Sequence, residues 1–313
     1  VIDHGAANNF FAANTSGFEL SEDDSREVSS EADFRVTEDV TAGYVMANVD
    51  FERLSLIGGL RVERTAADYE AFDIIFEDGD LAADLPLRTG SKDYTNWLPG
   101  VQARWLLRED VVVRGAWTNT IGRAPYEQLV PFRVFEVDPD GPDVFEGEVS
   151  EGNPDLDPLE SMNFDLSLEW YTETGGILAV GAFFKDIDNP VFTQVTTLEN
   201  VEFEGRFFSE LERSRPENAE SGEILGFELN YQQQFSRLPA PFDGFGVSLN
   251  YTFTDSEATV FGRDDKLPFF LQSDHIGNAA LFWEKAGFEL RAALAYRSEY
   301  LDDVGEGPDS DVY

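Results

Sequence analysis

Residues 164 to 170 read Phe-Asp-Leu-Ser-Leu-Glu-Trp, with apolar and polar side chains in strict alternation. The pattern returns at Leu225, Phe227, Leu229 and Tyr231, and at Phe245, Val247, Leu249, Tyr251 and Phe253. It returns again at Phe288, Leu290, Ala292, Leu294 and Tyr296. A period of two sends alternate side chains to opposite faces of a β-strand, one greasy and one wet. Runs of roughly ten residues are long for a soluble sheet and match a tilted strand crossing a bilayer. This confines the chain to an all-β architecture and points to a membrane crossed by strands.

Ten strands are predicted, at 44–52, 54–64, 97–107, 110–119, 162–172, 175–185, 223–234, 245–255, 275–284 and 286–298. They fall into five pairs with short connections, such as Glu52-Arg53 and Glu284-Lys285-Ala286. Long connections separate the pairs, at 65–96, 120–161, 186–222 and 256–274. Loops of that length are uncommon in compact soluble domains. Outer-membrane barrels have short periplasmic turns and long extracellular loops. The predicted fold is therefore an antiparallel transmembrane β-barrel wall with both termini outside. On apolar parity, Val101, Ala103, Trp105, Leu166 and Leu168 face lipid. Arg61, Glu63, Arg104, Arg114, Asp165, Glu169 and Glu228 take the other parity and face a wet lumen. A charge facing lipid at mid-bilayer would cost about 2–4 kcal/mol. Trp97, Trp117, Trp170, Tyr171, Trp283, Tyr296 and Tyr300 lie near strand ends, where aromatic girdles form. A soluble β-sandwich is the rival fold, with the same apolar face packed inward.

Charge narrows the functional classes. The chain carries 62 acidic and 22 basic residues, a net −40. That excludes a general nucleic-acid binder, which needs a basic footprint. More than half of the net charge sits in the four long loops. Cysteine is absent and the only histidines are His4 and His275. A thiol, a histidine metal site or a catalytic triad has little to draw on. Asp138-Pro139-Asp140-Gly141-Pro142-Asp143 spaces oxygen ligands around a glycine like part of a calcium loop, without the full spacing or closing Glu. A solvated turn is the simpler reading. Gly307-Pro308-Asp309-Ser310-Asp311 is a weaker version of it. No catalytic, cofactor-binding or metal residue is assigned, and the chain reads as a non-enzyme. The longest apolar run, Ile177 to Phe184, is strand-sized. Neither end has a signal peptide or a natural stop, so both read as cut.

The stretch Glu151-Gly152-Asn153-Pro154-Asp155-Leu156-Asp157-Pro158, continuing through Asn163-Phe164-Asp165-Leu166-Ser167-Leu168-Glu169-Trp170-Tyr171, resembles a turn and strand of TonB-dependent outer-membrane receptors. Gly58-Gly59-Leu60-Arg61-Val62-Glu63 and Gly222-Glu223-Ile224-Leu225-Gly226-Phe227-Glu228 are similar to two further strands of that family. Ile121-Gly122-Arg123-Ala124-Pro125-Tyr126 is similar to its Arg-x-Pro segment, with Ala124 between Arg123 and Pro125 where close relatives often have Arg-Pro. The resemblance implies a barrel of twenty-two strands plugged by an N-terminal domain. Residues 1–313 would then be part of one β-barrel domain, lacking the plug and the C-terminal strands, with its edge strands left unpaired. It implies active import of a scarce solute, an oligosaccharide or an iron-siderophore, in the bacterial outer membrane. The overall sequence leans toward the carbohydrate-associated members. The implied partners are outer-membrane lipid, the small-molecule or oligosaccharide ligand, and the TonB–ExbB–ExbD energy-coupling complex acting through the plug region. Ligand contacts are expected in loops 65–96, 120–161, 186–222 and 256–274, with no single residue assigned. A passive porin is the alternative transporter.

Overall fold

The computed structural model describes residues 33–259 and 265–302, with single positions 10, 13 and 30. Sixteen strands appear among them. The first eight are β1 Phe34–Asp50, β2 Leu54–Glu77, β3 Asp80–Leu81, β4 Leu87–Arg108, β5 Val111–Gly122, β6 Arg133–Gly141, β7 Val144–Glu151 and β8 Leu159–Tyr171. The chain continues with β9 Ile177–Asp188, β10 Val191–Phe203, β11 Arg206–Asn218 and β12 Ser221–Gln234. It ends with β13 Phe245–Thr259, β14 Lys266–Leu267, β15 His275–Lys285 and β16 Phe288–Arg297.

Ten of these form the wall. Their order is β1-β2-β4-β5-β8-β9-β12-β13-β15-β16, each antiparallel to its neighbours. They are the ten strands predicted from alternation. The register keeps parity from strand to strand. Gly58, Val101, Trp117, Phe164, Phe184 and Leu225 follow one another as cross-strand partners. So do Leu56, Ala103, Gly115, Leu166, Ala182 and Phe227 on the same face. A slip of one residue would turn a whole strand inside out, so this continuity ties the register to burial in lipid. Val101, Trp105, Leu166 and Phe227 are accordingly exposed. The opposite face carries Arg104, Arg114, Ser167 and Glu228 in one row. There Arg114 Nε donates to Glu169 Oε1 at 2.8 Å.

The apolar band has definite limits. On β4 it runs from Trp97 to Leu107, which at ~3.3 Å per residue and ~40° of tilt spans ~25 Å, the height of a lipid-facing belt. Just above it, on the same parity, Arg64 Nη2 meets Asp93 Oδ2 at 2.6 Å. At the short-turn end, Trp170 Nε1 donates to Asp110 Oδ2 at 3.0 Å and Trp283 Nε1 to the Pro241 carbonyl at 2.8 Å. These are girdle positions, with the ring in lipid and the N–H at the polar boundary. Tyr171 departs from that expectation. It shares the face of Glu169 and donates to its Oε2 at 2.7 Å, so it lines the wet side.

Three glycines in the wall answer to aromatic rings. A Cβ on Gly226 would lie 2.0 Å from the Phe183 ring, one on Gly246 2.2 Å from Phe282, and one on Gly222 2.5 Å from Phe269. The Gly222…Gly226 spacing is thus the imprint of two phenylalanine rings that occupy the space of a side chain there.

The long connections differ most from the sequence reading. Three of the four are more strand than loop, and 256–274 is the exception. β2 climbs past the membrane to Glu77 and β4 begins at Leu87, so 65–96 is mostly a tall hairpin. At its tip Asp78-Gly79 turns β2 into β3, with φ of 54° and 78°, the two left-handed residues of a type I′ turn. Residues 120–161 contain a helical turn, α1 (Tyr126–Leu129), and the hairpin β6–β7. Residues 186–222 contain the hairpin β10–β11, turning at Glu204-Gly205 with φ of 50° and 79°. In 256–274, β13 runs to Thr259 and pairs with β14, while 260–264 lie outside the described residues.

These hairpins assemble into a second, extracellular sheet. β6 pairs in parallel with the top of β2, β7 with β6, β11 in parallel with β7, and β10 with β11. Phe135, Val137, Val149, Phe208 and Leu211 form its core. Phe203 at the β10–β11 tip meets Phe135 edge-on at 5.5 Å. Among the described residues, β1 pairs only with β2 in the wall and β16 only with β15, so both outer edges are open.

Leu166→Arg should lower folding stability of the full-length protein in lipid vesicles by about 2–4 kcal/mol. Gln102→Arg, on the wet face, should change it by less than about 1 kcal/mol. Urea titration of vesicle-folded protein measures both.

Candidate functional site

The segment between β5 and β8 does not hang outside the wall. It folds back over the wet face of β2 and β4, above the lipid belt. Ala67, Tyr69 and Ala71 of β2 form a buried cluster there with Leu129, Val130 and Leu156. Burial pushes the Tyr69 hydroxyl up to about 12, helped by the nearby Tyr94 and Glu38 charges. The turn 152–158 completes the contact, and its composition now has reasons. Gly152 lies so close to Val130 that a Cβ would fall 2.0 Å from the carbonyl oxygen. Pro154 presses on Gly90 of β4, where a Cβ would come within 2.7 Å of the proline ring. Leu156 is buried in the cluster.

Asn153 is the hub of this turn, and only 4% of it is exposed. Its amide nitrogen donates to the Pro216 carbonyl at 2.9 Å and to Glu217 Oε2 at 3.1 Å. Its side-chain oxygen accepts from the Asp155 N–H at 3.0 Å and from Arg215 Nη2 at 2.9 Å. Its own N–H donates to the Gln128 carbonyl at 2.7 Å. The side chain therefore stitches its own turn to β11, and the backbone N–H of the same residue ties that turn to the α1 segment.

Two charged groups flank this fold-back. The lower one centres on Arg123 of the Arg-x-Pro segment. Arg123 donates to Glu63, to Thr65 Oγ1 at 2.9 Å and to Tyr94 Oη at 3.1 Å. Glu38 stands 3.6 Å from Arg123 and accepts from Tyr126 at 3.2 Å. The upper one centres on Glu151 at the end of β7. Arg213 donates to Glu151, Arg88 Nη2 lies 3.9 Å from it and Arg215 Nε 4.0 Å. Nearby, Arg133 is buried between Asp73 and Glu204. Burial disfavours its charge, but hydrogen bonds to the two carboxylates outweigh that and raise its pKa. The Glu204 contact holds the tip of β10–β11 onto β6.

The four segments in which ligand contacts were expected thus become strand extensions and hairpins. Three of them, 65–96, 120–161 and 186–222, meet at Asn153 and Glu151. Residues 256–274 pack separately, with Phe269 and Phe270 against Phe192 of β10. Asp138 to Asp143 forms the end of β6 and its turn, where Ser209 Oγ donates to Asp140 Oδ2 at 2.9 Å. Among the described residues, no three His, Asp or Glu side chains gather as a metal-ligand set. His4 and residues 307–311 lie outside the described residues. The arginine cluster was missed at the sequence level. Its signal was Arg213 and Arg215, two residues apart on a strand and so on one face.

The wall and its register match a known architecture. A family described as TonB dependent receptor-like, beta-barrel matches residues 3–312. The chain belongs to this family. Its place is the bacterial outer membrane. Two curated relatives, each an iron-regulated outer membrane virulence protein from Vibrio cholerae serotype O1 (strains O395 and N16961), are 28% identical over 222 residues. The match covers 70% of this chain and 32% of each relative, so the chain spans about a third of their length. Among solved structures, the ferric citrate transporter FecA superposes with a TM-score of 0.58 at 12% identity, covering 86% of this chain and 34% of that one. The copper transporter OprC gives 0.58 at 13%, covering 83% and 35%. The Pseudomonas aeruginosa ferric enterobactin receptor PfeA, as its Q482A variant with enterobactin, gives 0.52 at 14%, covering 86% and 43%. At such identities these likenesses speak to the fold.

Asn153→Ala should leave several buried partners unsatisfied at about 1–3 kcal/mol each. Amide exchange should rise in 123–132 and in β11, while the lipid-level wall stays protected. Tyr69 has a raised folded pKa, so its contribution to stability is full below about pH 10 and is lost as pH rises toward 12. In an alkaline absorbance titration, Tyr69→Phe should remove a component near pH 12 and leave the lower-pH tyrosines unchanged.

Proposed function

We propose that this chain is the barrel portion of an active importer that takes a scarce solute through the outer membrane, an iron chelate in the first place. Family membership over residues 3–312 is the observation that carries the importer reading. The iron-regulated relatives weight the cargo toward iron chelates over oligosaccharides. The structure is consistent with both parts. A lipid-facing belt encloses a wet face whose mouth is partly covered by an inward-folded, polar segment. Cargo would bind at that mouth from outside.

Coupling to the TonB–ExbB–ExbD complex would run through a plug region outside this chain. The open edges of β1 and β16 would pair with further wall strands, because unpaired backbone groups cannot face hydrocarbon. A passive porin has no specific observation in its favour.

The test is uptake. Cells carrying the full-length gene under iron limitation should accumulate ferric chelate faster than a deletion strain, and loss of TonB should abolish the difference. Uptake that persists without TonB would support the porin instead. Induction by polysaccharide feeding and not by iron limitation would move the cargo to oligosaccharide.

A further inference from the structure

The chain is strongly acidic, yet at its mouth three guanidiniums crowd one carboxylate. Arg88 comes from β4, Arg213 and Arg215 both come from β11, and all three reach within 4.0 Å of Glu151. Arg215 also has Glu217 at 3.4 Å. Two carboxylates against three guanidiniums leave a local excess of one positive charge. Such an excess is unexpected where the surrounding segments are so acidic.

The donors are not all spent. Arg88 stands 3.9 Å from Glu151, beyond hydrogen-bond length. Arg215 Nε is buried and has no hydrogen-bond partner among the described residues. A buried guanidinium N–H without an acceptor is costly, and guanidinium forks match the two oxygens of a carboxylate or phosphate. Arg88 lies on the parity of Asn96 and Gln102, the wet face of β4. The site is therefore reached from the mouth, above the lipid belt.

We infer that Arg88 and Arg215, held in place by Glu151, Glu217 and Asn153, form an oxyanion subsite that takes a carboxylate group of a polyanionic cargo. Arg213 is a positioning residue, since its fork is already committed to Glu151. The inference rests on the importer reading for the word cargo. It deepens that reading by selecting an anionic chelate over a neutral oligosaccharide.

The probe is citrate, with maltoheptaose as the neutral control, on the detergent-solubilised full-length receptor. Phenylglyoxal modification of each arginine is followed by mass spectrometry. Citrate should slow modification of Arg88 and Arg215 and leave the outward-facing Arg64 unaffected, while maltoheptaose should protect none of them. Absence of citrate protection, or equal protection by maltoheptaose, would overturn the inference. Arg88→Gln alone, which removes no hydrogen bond to the Asn153 hub, should weaken citrate binding about tenfold, ~1.4 kcal/mol, with the thermal midpoint unchanged. Unchanged citrate affinity in that variant would also overturn it. Citrate protection without TonB-dependent uptake would sink the importer reading alone. Uptake without citrate protection would sink the subsite alone.

Discussion

Everything in this molecule answers to the rule that hydrocarbon accepts no unsatisfied backbone group. At lipid level ten wall strands pair with antiparallel neighbours in sequence order, β1 and β16 on one side each among the described residues. Once pairing is fixed in that way, side-chain parity is fixed as well. The rung from Gly58 to Leu225 stays greasy across six strands because each register was set by the one before it. The wet face is the complement of the same constraint. Arg114 and Glu169 find each other there because neither could stay on the other side.

Above the membrane the rule relaxes and a different logic takes over. Water is available, and the strands of the wall simply continue upward and recruit others. The fold-back between β5 and β8 binds to the wet face of β2 and β4 by apolar burial around Tyr69, and to β11 by the hydrogen bonds of Asn153. These two kinds of contact bring acidic segments together. The ion pairs of Arg123, Arg133 and Arg213 reduce the repulsion that this creates. With 62 acidic residues against 22 basic ones, nearly every arginine in the mouth has a carboxylate within reach. Arg88 and Arg215 stand out because their donors are only partly engaged.

The wall was legible in the sequence because lipid and water impose a period of two that survives in single residues such as Leu166 and Ser167. The turn 151–158 was legible as a pattern, although its cause was not. Only contact with Gly90, Val130 and Pro216 explains why glycine, asparagine and proline stand where they do. The extracellular sheet was read as loop, because acidic residues obscure the alternation of its strands. Two signals for it were nonetheless present. Asp78-Gly79 and Glu204-Gly205 are hairpin turns flanked by Ile75 and Phe76 and by Phe203 and Phe207. The partnership of β11 with β7 had no local signal at all, since it depends on the wall bringing the two together. Tyr171 was misplaced because its strand-end position outweighed its parity.

That partnership also has an entropic side. Phe208 pairs with Phe145 across an intervening stretch that contains the whole of β8 and β9. Closing so wide a span in an unfolded chain is entropically slow. Once β8 and β9 are in place, the gap becomes a short reach between neighbours. The second sheet therefore depends on the wall, which holds its distant strands side by side.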